Sequence, residues 1–245
     1  MEDADSDDSS GTTTLGRATN MDYLPEISTD VLFFQSREIL SIYKGFRSLN
    51  DKYRLPYDLS VTETISRLGM PYLKETPKVF NELIKELESH IKGKIYLDNE
   101  QFYFRPDGLP LNGNHDLAVD MAAEGWRKLG MLLQVLKNGE LHSGMTLLWD
   151  EPEANLNPKL IRLIAKSILE LSKMNIQIFI ATQSLFLVNE MEILLAEQKI
   201  TDGVRFFNLQ NGKAPQQGDS FSALKNTLLL DEALKQSDRY MDEEV

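Results

Sequence analysis

The 245-residue sequence contains no cysteine, which excludes disulfide bonds and cysteine-ligated metal sites and fits a reducing compartment. It has no apolar run near the roughly 18 residues that a membrane span requires. Its first residues are acidic, whereas a signal peptide begins with basic and then apolar residues. We therefore expect a cytoplasmic protein that has no membrane partner.

Positive charge is also scarce, because 26 Lys and Arg stand against 38 Asp and Glu and give a formal net charge of −12. Such a balance argues against a broad, charge-driven nucleic-acid surface but leaves room for a local basic patch. Hydrophobic residues make up 42% of the chain, which is enough for a real core.

Composition and hydrophobic spacing divide the sequence into three parts. Residues 1–28 are polar and acidic, which predicts a flexible leader. Residues 29–118 predict a strand followed by a mixed lobe of helices and a β-hairpin. Residues 119–245 predict alternating helices and strands, an order that implies a parallel sheet with helical crossovers.

The lobe is predicted from short local patterns. Val31–Phe34 is an apolar run typical of a buried strand, and the spacing in Ser36–Leu49 favours a helix. Apolar residues on one face predict a helix over Val79–Ile91. Residues 94–97 and 101–104 flank a turn and predict the hairpin.

In the third part, segments with the hydrophobic spacing of a helix alternate with apolar runs typical of strands. Its helices carry recognisable caps such as Asn157 followed by Pro158. The predicted elements are a helix over 124–137, a strand over 146–149, a helix over 158–173, a strand over 176–181, a helix over 185–197, a strand over 204–208 and a last helix over 220–235.

Two adjacent carboxylates, Asp150 and Glu151, follow the predicted strand Thr146–Trp149. Ligands bind at the carboxyl ends of strands in an open parallel sheet. Asp150 could hold a water of a Mg²⁺ shell there, since magnesium prefers one or two carboxylates with waters and phosphates. Glu151 could orient a water that attacks a γ-phosphate. A strand that ends in two acids by chance would look the same.

Three further segments carry residues suited to a phosphate site. Residues 122–128 include Gly125 at the start of a helix, where backbone N–H groups can approach phosphate. Residues 154–158 form a turn after the acidic pair, and 177–184 form a strand that ends in Thr-Gln-Ser. Taken singly, these segments would also suit a plain amphipathic helix start, a capped turn and a buried strand.

In this order, the segments resemble the signature motif, Walker B strand, D-loop and switch loop of ABC-type ATPases. The chain resembles, over about residues 31–209, the bacterial ABC/SMC-like AAA-family ATPases related to the ATPase half of OLD nucleases. The resemblance implies an α/β fold: the C-terminal subdomain of an ABC-type P-loop NTPase with a parallel sheet, plus a mixed helical and β-hairpin insertion lobe. The ATPase core would then be residues 119–245.

The resemblance also implies the cofactors ATP and Mg²⁺ and a role for each matching residue. Asp150 would bind the metal, and Glu151 and Gln183 would act in catalysis. The family usually has His at the Gln183 position; Gln can donate a hydrogen bond but cannot titrate. The residues that would contact the nucleotide are Gly125, Arg127, Lys128, Asn155 and Asn157.

One part of the family pattern is missing, namely the Gly-x-x-x-x-Gly-Lys-Ser/Thr loop whose backbone holds the phosphates. The pairs Gly93-Lys94 and Gly212-Lys213 lack the preceding glycine and the following hydroxyl residue. We therefore expect the C-terminal part of a split or truncated ATPase, whose P-loop comes from a missing N-terminus or from a partner.

Three hypotheses follow. The chain could be part of an enzyme that works in a homo- or heterodimer of ATPase domains, with Gly125 acting on the ATP of the other subunit. It could instead be an inactive, ATPase-like regulatory or dimerisation subunit, or a remnant of a disrupted gene that exposes a sheet edge. A DNA partner is suggested only by analogy with the family.

Overall fold

The computed structural model describes residues 30–53, 55–108 and 115–243. The predicted leader and most of the loop after the hairpin lie outside these ranges. The elements are β1 (Val31–Phe34), α1 (Phe46–Tyr53), α2 (Leu59–Leu68), α3 (Asn81–Ile91), β2 (Gly93–Asp98), β3 (Gln101–Pro106), β4 (Leu117–Ala118), α4 (Glu124–Asn138), β5 (Thr146–Asp150), α5 (Pro158–Lys173), β6 (Gln177–Ala181), α6 (Leu185–Glu197), β7 (Phe206–Asn208), β8 (Gln216–Gly218) and α7 (Leu228–Asp242).

A parallel sheet of order β1-β5-β6 lies at the centre of the structure. In its register Phe34 lies opposite Trp149, and Asp150 lies opposite Ala181. Phe34 and Trp149 are buried and meet edge to face, with ring centroids 5.4 Å apart. The predicted α/β class with a parallel sheet is confirmed, and Asp150 ends the central strand.

Side-chain caps start the two helices that follow these strands. Asn157 Oδ1 accepts a hydrogen bond from the Leu160 N–H at 3.1 Å, and Pro158 occupies the first position of α5. Ser184 Oγ accepts from the Leu187 N–H at 3.2 Å at the start of α6. Because the caps come directly after β5 and β6, both turns stay at the carboxyl edge of the sheet.

The lobe contains the predicted hairpin. β2 pairs antiparallel with β3, and β3 pairs with the short β4. Ile95 of β2 and Leu87 of α3 are buried in the same continuous core as Leu132 of α4. The lobe therefore packs on the helix that leads to β5 instead of forming a core of its own.

Two predicted helices have different bounds in the structure. The helix predicted over Ser36–Leu49 is wrong as a continuous helix, because the chain forms a 3-10 turn at Leu40–Ile42 and only then α1. Gly45, at φ +69°, separates the two. The last helix begins at Leu228 rather than near Ser220, after Asn226 at φ 52° interrupts the chain.

The strand predicted over 204–208 does form, as β7, but it does not join the parallel sheet. It pairs antiparallel with β8 in a separate two-stranded sheet. A short apolar run predicts a strand without naming its neighbour, which is why its placement was wrong. In the part of the chain that the structure describes, no helix is both long and apolar enough to cross a membrane.

Candidate functional site at the end of the central strand

Asp150 and Glu151 lie at the carboxyl end of β5, where the chain turns away from the sheet. The Glu151 N–H still donates to the Ala181 carbonyl at 2.8 Å, but its backbone has φ 42°, in the left-handed region that non-glycine residues seldom adopt. The Asp150 carboxylate accepts no hydrogen bond from any described residue and is half-buried. It is an open acceptor at the edge of the sheet.

Gln183 meets Glu151 across this edge. Its Nε2 donates to Glu151 Oε1 at 2.9 Å, although 32 residues separate the two in the sequence. The structure thus brings together the two predicted catalytic side chains beside the predicted metal ligand. Since both side chains are at least partly open to solvent, a ligand can reach them.

The turn after Glu151 is held by its own backbone and by helix α4. The Ala154 N–H donates to the Glu151 carbonyl, and the Leu156 N–H donates to the Glu153 carbonyl, each at 3.0 Å. Asn155, at φ 61°, donates from Nδ2 to Glu124 Oε1 at 2.8 Å. Of the two asparagines predicted to contact nucleotide, Asn155 thus binds the start of α4, and Asn157 caps α5.

Glu153 and Thr182 form a contact that was not predicted from the sequence. Thr182 Oγ1 donates to Glu153 Oε1 at 2.5 Å and accepts from the Ser184 N–H at 3.0 Å. The other carboxylate oxygen, Glu153 Oε2, is buried with no hydrogen-bond partner. Two features of the sequence could have predicted this contact: a third acidic residue close to the pair Asp150 and Glu151, and a threonine at the end of the adjacent strand.

Gly125 lets α4 approach the turn closely. A Cβ at this position would lie 2.8 Å from Leu160 Cδ1 and 3.1 Å from Leu156 Cδ2, closer than ordinary van der Waals contact allows. Gly125 is itself buried. The structure therefore places this predicted nucleotide-binding residue against the turn and α5, where its small size serves packing.

Arg127 and Lys128, which were predicted to offer positive charge to a phosphate, make hydrogen bonds within the chain. Arg127 Nε donates to the buried Glu38 carboxylate at 2.8 Å, and its Nη1 donates to the Asp120 and Ala122 carbonyls. Lys128 is only 2% exposed, so its ammonium is enclosed by the protein. Both cations are satisfied within the chain.

The acidic side chains suit a metal bound together with a nucleotide better than a metal bound alone. Within the described ranges, no group of three or more His, Asp or Glu could hold an ion. Mg²⁺ prefers one or two carboxylates and completes its shell with waters and phosphate oxygens. The open carboxylate of Asp150, with Glu151 beside it, fits that preference.

Comparison with known proteins agrees with this geometry. Residues 84–189 match the family described as AAA domain, putative AbiEii toxin, Type IV TA system. This part of the chain is similar to an AAA domain. The predicted resemblance to AAA-family proteins is confirmed over these residues, which include Asp150, Glu151 and Gln183. The relation to OLD nucleases stays a prediction. No curated protein matches the chain.

The solved structures that match the chain are distant. An Smc head bound to the C-winged helix domain of ScpA is 15% identical, with a TM-score of 0.41, and the match covers 78% of this chain and 52% of that one. An Smc head with an extended coiled coil, bound to the C-terminal domain of ScpA derived from Pyrococcus furiosus, is 15% identical with a TM-score of 0.38. That match covers 75% of this chain and 40% of that one.

An ATP-binding cassette of an ABC transporter in its ADP conformation gives 14% identity and a TM-score of 0.34 over 78% of this chain and 61% of that one. The chain spans less than two thirds of each of these three proteins.

Proposed function

We propose that this chain supplies the metal-binding and water-positioning half of an ATP-hydrolysing site. Asp150 holds the Mg²⁺ that accompanies ATP, and the ion neutralises charge on the phosphates. Glu151 orients the attacking water, and Gln183 donates a hydrogen bond toward the γ-phosphate. Phosphoryl transfer requires little from a protein beyond such positioning and charge stabilisation.

The observation that carries this proposal is the contact between Gln183 and Glu151, 2.9 Å long, beside the open carboxylate of Asp150. The two side chains that meet come from the turns that follow two adjacent parallel strands. An acidic pair that arose by chance would have no reason to meet a hydrogen-bond donor from the neighbouring strand. The AAA-domain match over residues 84–189 includes both strands.

A segment outside this sequence supplies the phosphate-binding loop. Among the described residues, no strand pairs with the outer edge of β6, and Phe179 in that strand is 50% exposed. A strand added there in parallel would end beside Ala181 and bring the loop after it next to Gln183. An unpaired strand edge leaves backbone N–H and C=O groups without partners, so it favours an added strand.

The assembly that we propose is a cytoplasmic dimer of ATPase domains. Asn155 is exposed and hydrogen bonded to Glu124 at the start of α4, so the turn and the helix start present one continuous surface. That surface is the proposed contact with the second ATPase domain. Gly125 acts there by allowing the close packing of the helix and the turn.

A second candidate is an ATPase-like subunit that dimerises and regulates without hydrolysis. The observation that favours it is the internal use of Arg127 and Lys128, which leaves no basic side chain of the α4 start free for a phosphate. In this case Asp150 and Glu151 would be present in the chain but would not support ATP hydrolysis. The experiment on Glu151 at the end of the Discussion separates the two candidates, because it measures hydrolysis itself.

Binding of Mn²⁺, as a paramagnetic substitute for Mg²⁺, tests the role of Asp150. Assemblies are purified from cells through tagged wild-type, Asp150→Asn and Asp202→Asn chains, and bound Mn²⁺ is measured by electron paramagnetic resonance with and without ATP. Asp202 lies in an exposed loop and serves as the matched control. We expect Asp150→Asn to weaken ATP-dependent Mn²⁺ binding at least about tenfold and Asp202→Asn to leave it unchanged. Equal binding by all three would contradict the proposal.

A further inference from the structure

Lys128 is a buried cation whose hydrogen bonds go to backbone alone. Its Nζ donates to the Glu151 carbonyl at 3.0 Å and to the Ala154 carbonyl at 2.9 Å. The side chain is 2% exposed, and burial lowers the pKa of the ammonium. A charged group in such surroundings costs free energy, so its contacts need an explanation.

The charges around Lys128 offset part of that cost. The carboxylates that attract it are, in order, those of Glu153, Glu124, Glu151 and Asp150. None of them accepts a hydrogen bond from the ammonium in the described structure. The lysine therefore lies within an acidic environment, yet it directs its hydrogens to the two backbone carbonyls of the turn.

These two carbonyls mark the beginning and the end of the turn that carries Glu151. The Glu151 carbonyl also accepts the Ala154 N–H at 3.0 Å, so Lys128 reinforces the hydrogen bond that closes the turn. Glu151 itself has φ 42°, a conformation that costs about 1–2 kcal/mol for a residue with a Cβ. Fixed contacts on both sides of the turn are what keep such a conformation populated.

We propose that Lys128 is a positioning residue that fixes the backbone conformation of Glu151 by clamping the turn 151–154 to helix α4. The clamp has a second point of attachment, because Glu124 of α4 accepts the side-chain hydrogen bond of Asn155 at 2.8 Å. A partner that contacts the partly exposed start of α4 thus acts on Glu151 through the helix. This regulatory consequence rests on the proposed ATPase function, whereas the clamp itself does not.

Amide hydrogen exchange in the whole chain tests the clamp without any enzymatic activity. Lys128→Met keeps most of the aliphatic stem but removes both donors. Lys137→Met is the matched control, since Lys137 lies in the last turn of the same helix and binds Glu88 at 2.9 Å, away from the turn. We expect Lys128→Met to speed exchange of the Ala154 and Leu156 amides at least about tenfold, while core amides of α5 keep their protection. Lys137→Met should leave the turn unchanged.

Unchanged exchange at Ala154 and Leu156 in a folded Lys128→Met chain would overturn the clamp. Should that variant not fold, Lys128→Gln, whose shorter amide cannot reach both carbonyls, takes its place with the same expected result. In assemblies that hydrolyse ATP, Lys128→Met should lower kcat at least about tenfold and leave KM within about twofold, because nucleotide contacts stay in place. A wild-type assembly without ATPase activity but with faster exchange in the variant would refute the proposed function and leave the clamp intact.

Discussion

Two residues of the candidate site have a left-handed backbone conformation, which one of them tolerates better than the other. Glu151 has φ 42° and Asn155 has φ 61°. Asparagine adopts this region with less strain than most residues, whereas glutamate has no such preference. Glu151 therefore depends on its surroundings, namely the Ala181 carbonyl that accepts from its N–H and the Lys128 ammonium on its own carbonyl. Strain of this kind is common at functional sites.

The contact of Thr182 with Glu153 makes the stability of the site sensitive to one hydroxyl group. Thr182→Val removes the only donor to Glu153 among the described residues and leaves both carboxylate oxygens, of which Oε2 is buried, without a partner. We expect the free energy of unfolding to fall by about 1–3 kcal/mol. Urea denaturation of the variant and the wild type measures it.

Thr76→Val provides the control for this prediction. Thr76 Oγ1 donates to Asn81 Oδ1 at 3.0 Å in a partly buried position, so the same chemical change leaves behind a neutral amide rather than a buried carboxylate. The account would be contradicted if Thr182→Val cost no more stability than Thr76→Val.

The main residues of the site were predictable because they lie at strand ends. Asp150, Glu151 and Gln183 each follow an apolar run, and strands in a parallel sheet bring their carboxyl ends together. The use of Lys128 was not predictable, since a lysine near a helix start looks the same whether it faces solvent or enters a buried turn. Its true partners, two backbone carbonyls more than twenty residues away, leave no pattern in the sequence.

Among the helices and strands, the bounds were predicted most accurately where neighbouring residues in the sequence determine them. Helices α5 and α6 begin and end where the sequence predicted, because Asn157 and Ser184 cap them and strands precede them. The helix over Ser36–Leu49 and the placement of β7 were wrong because distant partners decide them. β7 finds β8, and the segment before α1 is shaped by packing around Leu40.

The lobe sheet contains an ion pair that makes its stability depend on pH. Arg105 donates to both carboxylate oxygens of Asp116, just before β4, and Tyr96 donates to Oδ2, all at 2.5 Å. The hydrogen bond from Arg105, followed by that from Tyr96, lowers the pKa of Asp116 from its usual 3.8 to about 2. A carboxyl group with a depressed pKa stabilises the fold above its unfolded pKa and loses that effect as pH falls through the folded value.

We therefore expect the wild-type chain to lose part of its stability between pH 4 and pH 2, in the window set by these two pKa values. Asp116→Asn should be less stable at neutral pH and should show a weaker dependence on pH in that window. Thermal unfolding at a series of pH values measures both effects, with Asp107→Asn in the exposed turn after β3 as the control. An identical acid limb in Asp116→Asn and the wild type would refute the assignment.

At the scale of the whole molecule, the central sheet is covered unequally. Strand β5 is paired on both sides, and β1 and β6 each pair only with β5 among the described strands, but Leu32 and Phe34 of β1 are buried whereas Phe179 of β6 is 50% exposed. Helix α7 buries none of its residues. Asp150 thus ends the interior strand, and the unpaired edge of β6 lies on the side where the proposed phosphate loop would be required.

We propose that Glu151 positions the attacking water in an ATP-hydrolysing site completed by a segment from outside this sequence. The most direct measurement is Mg²⁺-dependent ATP hydrolysis by assemblies purified through tagged wild-type, Glu151→Gln and Glu197→Gln chains. Glu197 is exposed at the end of α6 and is the control. We predict hydrolysis by the wild type and by Glu197→Gln, and a loss of at least about 100-fold in Glu151→Gln. Wild-type hydrolysis that Glu151→Gln leaves intact, or a wild-type assembly that binds ATP without hydrolysing it, would contradict the claim.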